Sequence, residues 1–370
     1  MSKLVELEKL GQSVWFDFIR RSLITSGELQ NLIEQGVRGV TSNPAIFEKA
    51  IAGSNDYDED IKQLIKSDKT VDEIYETLAF EDIGMAADLL RNVYDTSGGL
   101  DGYVSLEVNP HLADKTEKTI TEAKRLFETV NRPNVLIKVP ATLAGIPAIA
   151  GLIAAGVNVN VTLIFGLENY RAVAEAYLAG LEELAENGPA VHGGHPVDRV
   201  ASVASFFVSR VDTAVDKELE KINEKKLQGK IAIANSKLAY DDFKHIFSGS
   251  RWQKLMNIGA RVQRVLWAST GTKNPDYPDT LYVDELIGPD TVNTLPPATL
   301  DSFIDHGRVA ETLMEGWDEA RQQMARLAKL GIDLSAITQQ LQDDGVTAFA
   351  KPFDALMQSI AEKRQRLMAT

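Results

Sequence analysis

Eight short apolar stretches, separated mostly by longer segments of helical periodicity, constrain the fold of this 370-residue chain more than any other feature. They run Val14–Ile19, Val37–Thr41, Tyr103–Val108, Asn134–Val139, Val157–Ile164, Val200–Phe206, Val262–Ala268 and, more weakly, Thr291–Thr294. Between them Asp58–Lys66, Val71–Tyr94, Lys115–Val130, Pro147–Ala155 and Leu167–Ala185 space their apolar residues as amphipathic helices do. Two or three more helices fit between Asp212 and Gly259. Repeated strand–helix units predict a parallel sheet, because a crossover between parallel strands needs an element to carry the chain back. Eight such units suit a closed (β/α)8 TIM barrel, although an open doubly wound sheet gives a similar alternation. After Pro296-Pro297 the chain reads as helical to its end, at Leu300–Ile304, Val309–Leu330 and Val346–Leu367. Residues 1–370 are therefore expected to form one barrel domain, with 298–370 as a helical extension that caps the barrel or covers its site.

Composition narrows the functional classes. Acidic residues outnumber basic ones by 53 to 39, and no basic run suits a nucleic-acid groove or an anionic membrane, so neither partner is expected. The absence of cysteine removes disulfides and thiolate metal sites. The stretch Met1-Ser-Lys-Leu-Val-Glu-Leu-Glu-Lys9 is charged where a signal peptide or membrane span would be apolar, and a cytoplasmic location is expected. His192 and His195 lie in the glycine- and proline-rich loop Asn187–Pro196 without a carboxylate cluster beside them, and no metal is assigned to them.

One strand carries a charge. In Asn134-Val-Leu-Ile-Lys-Val-Pro-Ala-Thr142, Val135, Ile137 and Val139 share one face and Leu136 and Lys138 the other. Strands of a parallel sheet are buried on both faces, so the ammonium group must be paired, neutralised or aimed into a cavity. Two readings stay open. Lys138 is a structural lysine bridged to a carboxylate, or it is a nucleophile that forms Schiff bases with carbonyl compounds.

Strand parity brings further polar side chains to the same face. Asp17 opposes Val14, Phe16 and Phe18; Ser105 and Glu107 oppose Val104, Leu106 and Val108; Asn158, Asn160 and Thr162 oppose Val159, Val161 and Leu163. Thr41-Ser-Asn-Pro44 closes the second strand, Ser205 ends the sixth and Ser269 follows the seventh. Each has a plain alternative: Asn43-Pro44 starts a helix, Thr162 and Ser205 bond to nearby carbonyls, Glu107 neutralises Lys138. Together they gather two carboxylates, a lysine, carboxamides and hydroxyls near the carboxyl ends of successive strands, where barrels keep their chemistry. That set suits a lysine aldolase. Lys138 attacks a ketone, Glu107 with a water held by Thr162 shuttles protons for imine formation, and Asp17 is the base for carbon–carbon cleavage. Asn43 and Asn160 hydrogen-bond substrate hydroxyls, and Arg210 and Lys273, the latter after Ser269, bind a phosphate.

These segments resemble the transaldolases of the pentose phosphate pathway. Gly39-Val-Thr-Ser-Asn-Pro-Ala-Ile46, Val104-Ser-Leu-Glu-Val108, Val135-Leu-Ile-Lys-Val-Pro-Ala-Thr142 and Val159-Asn-Val-Thr-Leu-Ile-Phe165 are similar to that family's signature segments, in order. Trp267-Ala-Ser-Thr-Gly-Thr-Lys-Asn-Pro275 looks like its longer bacterial branch. The resemblance implies an α/β barrel that moves a dihydroxyacetone unit from fructose 6-phosphate or sedoheptulose 7-phosphate to an aldose phosphate, such as erythrose 4-phosphate or glyceraldehyde 3-phosphate, with no cofactor. It implies Lys138 as the Schiff-base residue, Asp17 and Glu107 as the acid/base pair, and Thr162 as the residue that positions water. Asn43, Asn160, Ser205 and Arg210 are implied to bind substrate, and Ser269 is grouped with them. Many transaldolases have an arginine soon after the serine of the seventh strand; here Gly271 and Lys273 occupy that stretch, and Lys273 is the substitute expected. Some members of the longer branch are fused to a phosphoglucose isomerase domain, and whether the native gene carries one is left open. Assembly is left open, a homodimer included. The rival readings are a fructose 6-phosphate aldolase, which releases free dihydroxyacetone, and a catalytically silent sugar-phosphate-binding barrel.

Overall fold

The computed structural model describes residues 2–188 and 196–368, so the loop carrying His192 and His195 lies outside the described residues. Its strands are β1 (Gln12–Phe16), β2 (Val37–Val40), β3 (Tyr103–Glu107), β4 (Val135–Pro140), β5 (Val159–Ile164), β6 (Ser202–Phe207), β7 (Arg264–Ala268) and β8 (Thr291–Leu295). They pair in parallel and in chain order, and β8 returns to β1, so the sheet is a closed eight-stranded barrel. The alternation thus resolves as the (β/α)8 barrel and not as the open sheet, which would leave two strand edges bare. The outward residues of β4 and β5, among them Val135, Ile137, Val139, Val159 and Val161, are fully buried and join Ile149, Leu152 and Ile153 of the helix Gly145–Ala154 in one core. Each such side chain contributes about 1.5–3 kcal/mol of burial.

The amino-terminal end of the barrel is closed by a polar plug. Asp101 accepts from Ser13 Oγ at 2.6 Å, from Trp15 Nε1 at 3.1 Å and from Arg264 Nη2 at 2.9 Å. Gly39 of β2 passes against the Trp15 indole so closely that a Cβ there would lie 2.6 Å from the ring, which only glycine avoids.

Three expectations about helices are corrected. The region after β8 is not helical throughout: the helix expected at Val309–Leu330 begins at Trp317. The preceding segment is held as a loop because the Thr312 and Leu313 N–H groups both donate to the Ile287 carbonyl and Thr312 Oγ1 donates to the Asp284 carbonyl. The helix expected at Val346–Leu367 is the second half of Leu334–Met368, which runs through Pro352 and starts where Asp333 Oδ1 accepts from the Ala336 N–H. The helix expected at Val71–Tyr94 divides at Leu90.

The long carboxy-terminal helix lies over the carboxyl ends of the strands. Gln342 Nε2 donates to the carbonyls of Ala141, just past β4, at 2.9 Å and of Leu163 in β5 at 3.0 Å. Farther along, Asp354 meets His111 Nε2 at 2.7 Å, and Lys363 Nζ donates to Asp58 at 2.7 Å. Leu163 has φ of +61°, a conformation uncommon for a branched side chain, at an irregularity where β5 loses register with β6. Gly345 of the helix packs on that leucine, where a Cβ would meet its Cδ2 at 2.8 Å. No helix among the described residues is long and apolar enough to cross a membrane.

Candidate active site

Lys138 is placed by register. On β4 it pairs with Glu107 of β3 on one side and Asn160 of β5 on the other, so the three side chains share the inward face. Its Nζ donates to the Ser42 carbonyl at 3.0 Å and lies 3.5 Å from Glu107 Oε2, in a residue only 6% exposed. The ion-pair reading and the cavity reading of this lysine therefore both hold. The amine borders a cavity of roughly 540 Å³, open at the carboxyl ends of the strands.

Glu107 stands beside Lys138, and its Oε2 is buried without a hydrogen-bond partner among the described residues. Burial pushes its carboxyl above the usual carboxylate range, against the pull of the adjacent Lys138. Thr162, fully buried, has an Oγ1 without a partner among the described residues, so it does not spend its hydroxyl on a nearby carbonyl. A buried polar atom left bare costs about 1–3 kcal/mol, a cost that marks groups kept for a ligand or water.

Asp17 follows the last residue of β1. Its N–H continues the ladder by donating to the Leu295 carbonyl at 2.8 Å, and its Oδ1 accepts from Thr41 Oγ1 at 2.7 Å. Burial raises its pKa, while Lys138, Thr41 and Lys273 pull it down. Thr41 Oγ1 also lies 2.6 Å from Thr294 Oγ1, which ties Asp17 to β2 and β8.

The carboxamides and hydroxyls are linked to one another. Asn160 Nδ2 donates to Ser105 Oγ at 3.0 Å, and its Oδ1 accepts from Ser205 Oγ at 2.7 Å. Asn43 does start a helix: its Oδ1 accepts from the Ile46 N–H at 3.0 Å and caps Pro44–Ala52. The amide nitrogen stays available at the cavity wall, so the plain reading and the substrate reading of Asn43 are compatible. Ser269 has φ of +57°, and its Oγ lies 3.0 Å from Ser209 Oγ.

Arg210 stacks its guanidinium 5.3 Å from the centroid of Phe207 and has no carboxylate within ion-pair distance among the described residues. Burial disfavours its charge, so a bound anion there gains from a poorly hydrated cation. Lys273 is exposed at the rim, near enough to act on Asp17. Among the expected residues, Asp17, Asn43, Lys138, Asn160, Thr162, Ser205, Arg210, Ser269 and Lys273 all line the one cavity, with Glu107 behind Lys138.

A model of the transaldolase/fructose-6-phosphate aldolase family matches residues 14–360. The chain is 46% identical to a transaldolase of Trichodesmium erythraeum and 47% identical to one of Thermobifida fusca, each over 98% of both chains. It is 48% identical to transaldolase 1 of Streptomyces avermitilis over 98% of this chain and 95% of the relative.

The chain belongs to the transaldolase/fructose-6-phosphate aldolase family.

Several lining residues of this family member escaped the sequence reading. Lys49 lines the cavity with Ala45 and Ile46, one helical turn before it, so the helix after Asn43 adds a cation to Arg210 and Lys273 at the mouth. Knowing that Asn43 caps a helix would have found it through this spacing. Phe207 follows Ser205 by two residues, and strand parity was the available signal for it. Phe349, 8% exposed, comes from the carboxy-terminal helix and had no local signal. Gly271 also lines the cavity, and a Cβ there would sit 2.9 Å from Thr299 Oγ1 on the helix Pro297–His306. In this family member that close approach leaves little room for a long side chain at 271, so the cations at the mouth are Lys49, Arg210 and Lys273.

Proposed function

We propose that the protein is a transaldolase that moves a dihydroxyacetone unit from fructose 6-phosphate or sedoheptulose 7-phosphate to an aldose phosphate through a Schiff base on Lys138. The observation that carries this is the inward alignment of Glu107, Lys138 and Asn160 on adjacent strands at the wall of one cavity. Lys138 adds to the donor's C2 carbonyl, and Glu107, with water held by Thr162, passes the proton that lets the carbinolamine lose water. Asp17 takes the proton of the C4 hydroxyl, the C3–C4 bond breaks into the imine, and an aldose phosphate leaves. The enamine that stays on Lys138 then attacks the acceptor's aldehyde carbon, and Asp17 returns its proton to the new hydroxyl. Water hydrolyses the product imine. The imine is the electron sink, so no metal or organic cofactor is called upon. Asn43, Asn160 and Ser205 meet the donor's hydroxyls, and Arg210, Ser269 and Lys273 its phosphate.

The second reading, a fructose 6-phosphate aldolase, uses the same residues, and the family description covers both activities. Incubation with fructose 6-phosphate alone, followed by erythrose 4-phosphate, separates them. The transferase reading expects little free dihydroxyacetone and rapid sedoheptulose 7-phosphate once acceptor is present. Sustained dihydroxyacetone release that acceptor does not suppress overturns it.

A further inference from the structure

After the aldose phosphate departs, only three carbons remain on the lysine in a cavity large enough for a sugar phosphate, so the partial occupant needs a wall against water. The ring of Phe349 lies with its centroid 5.7 Å from Lys138 Nζ, is 8% exposed, and comes from the helix Leu334–Met368. That helix is fixed at this point. Gln342 bonds to two strand-end carbonyls and Gly345 packs without spare room on Leu163, each within two turns of Phe349. The ring is therefore held over the amine, where its π face also favours the positive charge of an iminium.

We propose that Phe349 is a specificity-determining residue that shields the enamine on Lys138 and so sets the partition between transfer and release of free dihydroxyacetone. Release requires protonation of the enamine at its terminal carbon to give the iminium. Water then adds at C2, and the carbinolamine collapses to dihydroxyacetone and the free amine. Transfer replaces the first proton by the acceptor's aldehyde carbon. Both routes leave oxidation states balanced and differ in whether solvent reaches the enamine before the acceptor does. This inference rests on the transferase reading above.

The test measures, in one preparation, transfer to erythrose 4-phosphate and release of free dihydroxyacetone from fructose 6-phosphate alone. In Phe349→Ala the ratio of release to transfer rises by about tenfold or more, as expected when water enters a site that had excluded it. Phe349→Leu, which restores apolar bulk, brings the ratio back towards wild type. If Phe349→Ala melts early, Phe349→Val replaces it and shows a smaller rise in the same direction. A merely structural role lowers both rates together, and an unchanged ratio in folded Phe349→Ala or Phe349→Val overturns the proposal. Failure of the wild type to transfer at all instead overturns the underlying transferase reading, and this inference with it.

Discussion

Glu107 and Lys138 sit opposite each other in register on β3 and β4, with Glu107 Oε2 3.5 Å from Lys138 Nζ and accepting no hydrogen bond from any described residue. The carboxylate is close enough to pair with the ammonium group and keeps an oxygen free to exchange a proton. Because burial raises the Glu107 pKa, the carboxyl holds its proton to higher pH than an ordinary glutamate and loses donor capacity as pH rises through that raised value.

Glu107→Gln keeps the shape and removes the exchangeable proton. Imine formation is expected to slow by about 10²–10⁴-fold, the usual range for a positioned acid or base. The pH–rate profile of the wild type should carry a limb above the ordinary carboxylate range that the variant lacks. A limb that persists in Glu107→Gln assigns it to another group.

Asp17→Asn should act later in the sequence. Its partner Thr41 bonds at 2.7 Å and can still donate to the amide oxygen, so geometry is retained while the base is lost. Carbon–carbon cleavage is expected to fall by about 10²–10⁴-fold, and the imine with fructose 6-phosphate to accumulate. Loss of the borohydride-trapped adduct in this variant, instead of its retention, contradicts the role given to Asp17.

A stability prediction concerns Asp212, away from the cavity. Its carboxyl is pushed up to about 7 from the ordinary 3.8, chiefly by burial and further by Asp216, although it accepts from the Ala232 N–H at 2.7 Å and from the Tyr282 hydroxyl at 2.9 Å. The folded state thus binds this proton more tightly than the unfolded chain. The stability it contributes is fully present below about pH 4 and is lost as pH rises through about 7. The melting temperature of the wild type relative to Asp212→Asn should fall between pH 4 and pH 7 and level off above, and a difference independent of pH contradicts the burial argument.

The plug at the other end of the barrel tests a separation of stability from activity. Arg264 and Asp101 are each 4% exposed and pair at 2.9 Å. Asp101→Asn leaves a buried guanidinium without its counter-charge, a change that costs about 3–5 kcal/mol. Denaturant unfolding should show that loss while the transfer rate at low temperature stays near wild type. A loss below about 1 kcal/mol, or a large fall in rate, contradicts it.

Strand identity was legible because β-branched runs mark strands buried on both faces, and the polar residues facing the cavity in β4 and β5 add a two-residue period. The same parity gave Lys138, Asn160 and Thr162 their inward direction. Strand ends were less legible: β1 begins at Gln12, two residues before the apolar run at Val14, because Gln12 Nε2 and Ser13 Oγ are buried in side-chain bonds that no hydropathy pattern displays. The loop before Trp317 was misread because backbone bonds from Thr312 and Leu313 to the carbonyl of distant Ile287 override a helical spacing of apolar residues. Phe349 was beyond reach, since nothing local to a helix some 200 residues after Lys138 states which strand ends it will cover.

The most direct measurement is borohydride reduction in the presence of fructose 6-phosphate, followed by peptide mass analysis of the wild type and Lys138→Ala. A single reduced three-carbon or hexose phosphate adduct on the peptide containing Lys138, absent from the variant, is the predicted result. No adduct, or an adduct on a different lysine, contradicts the account.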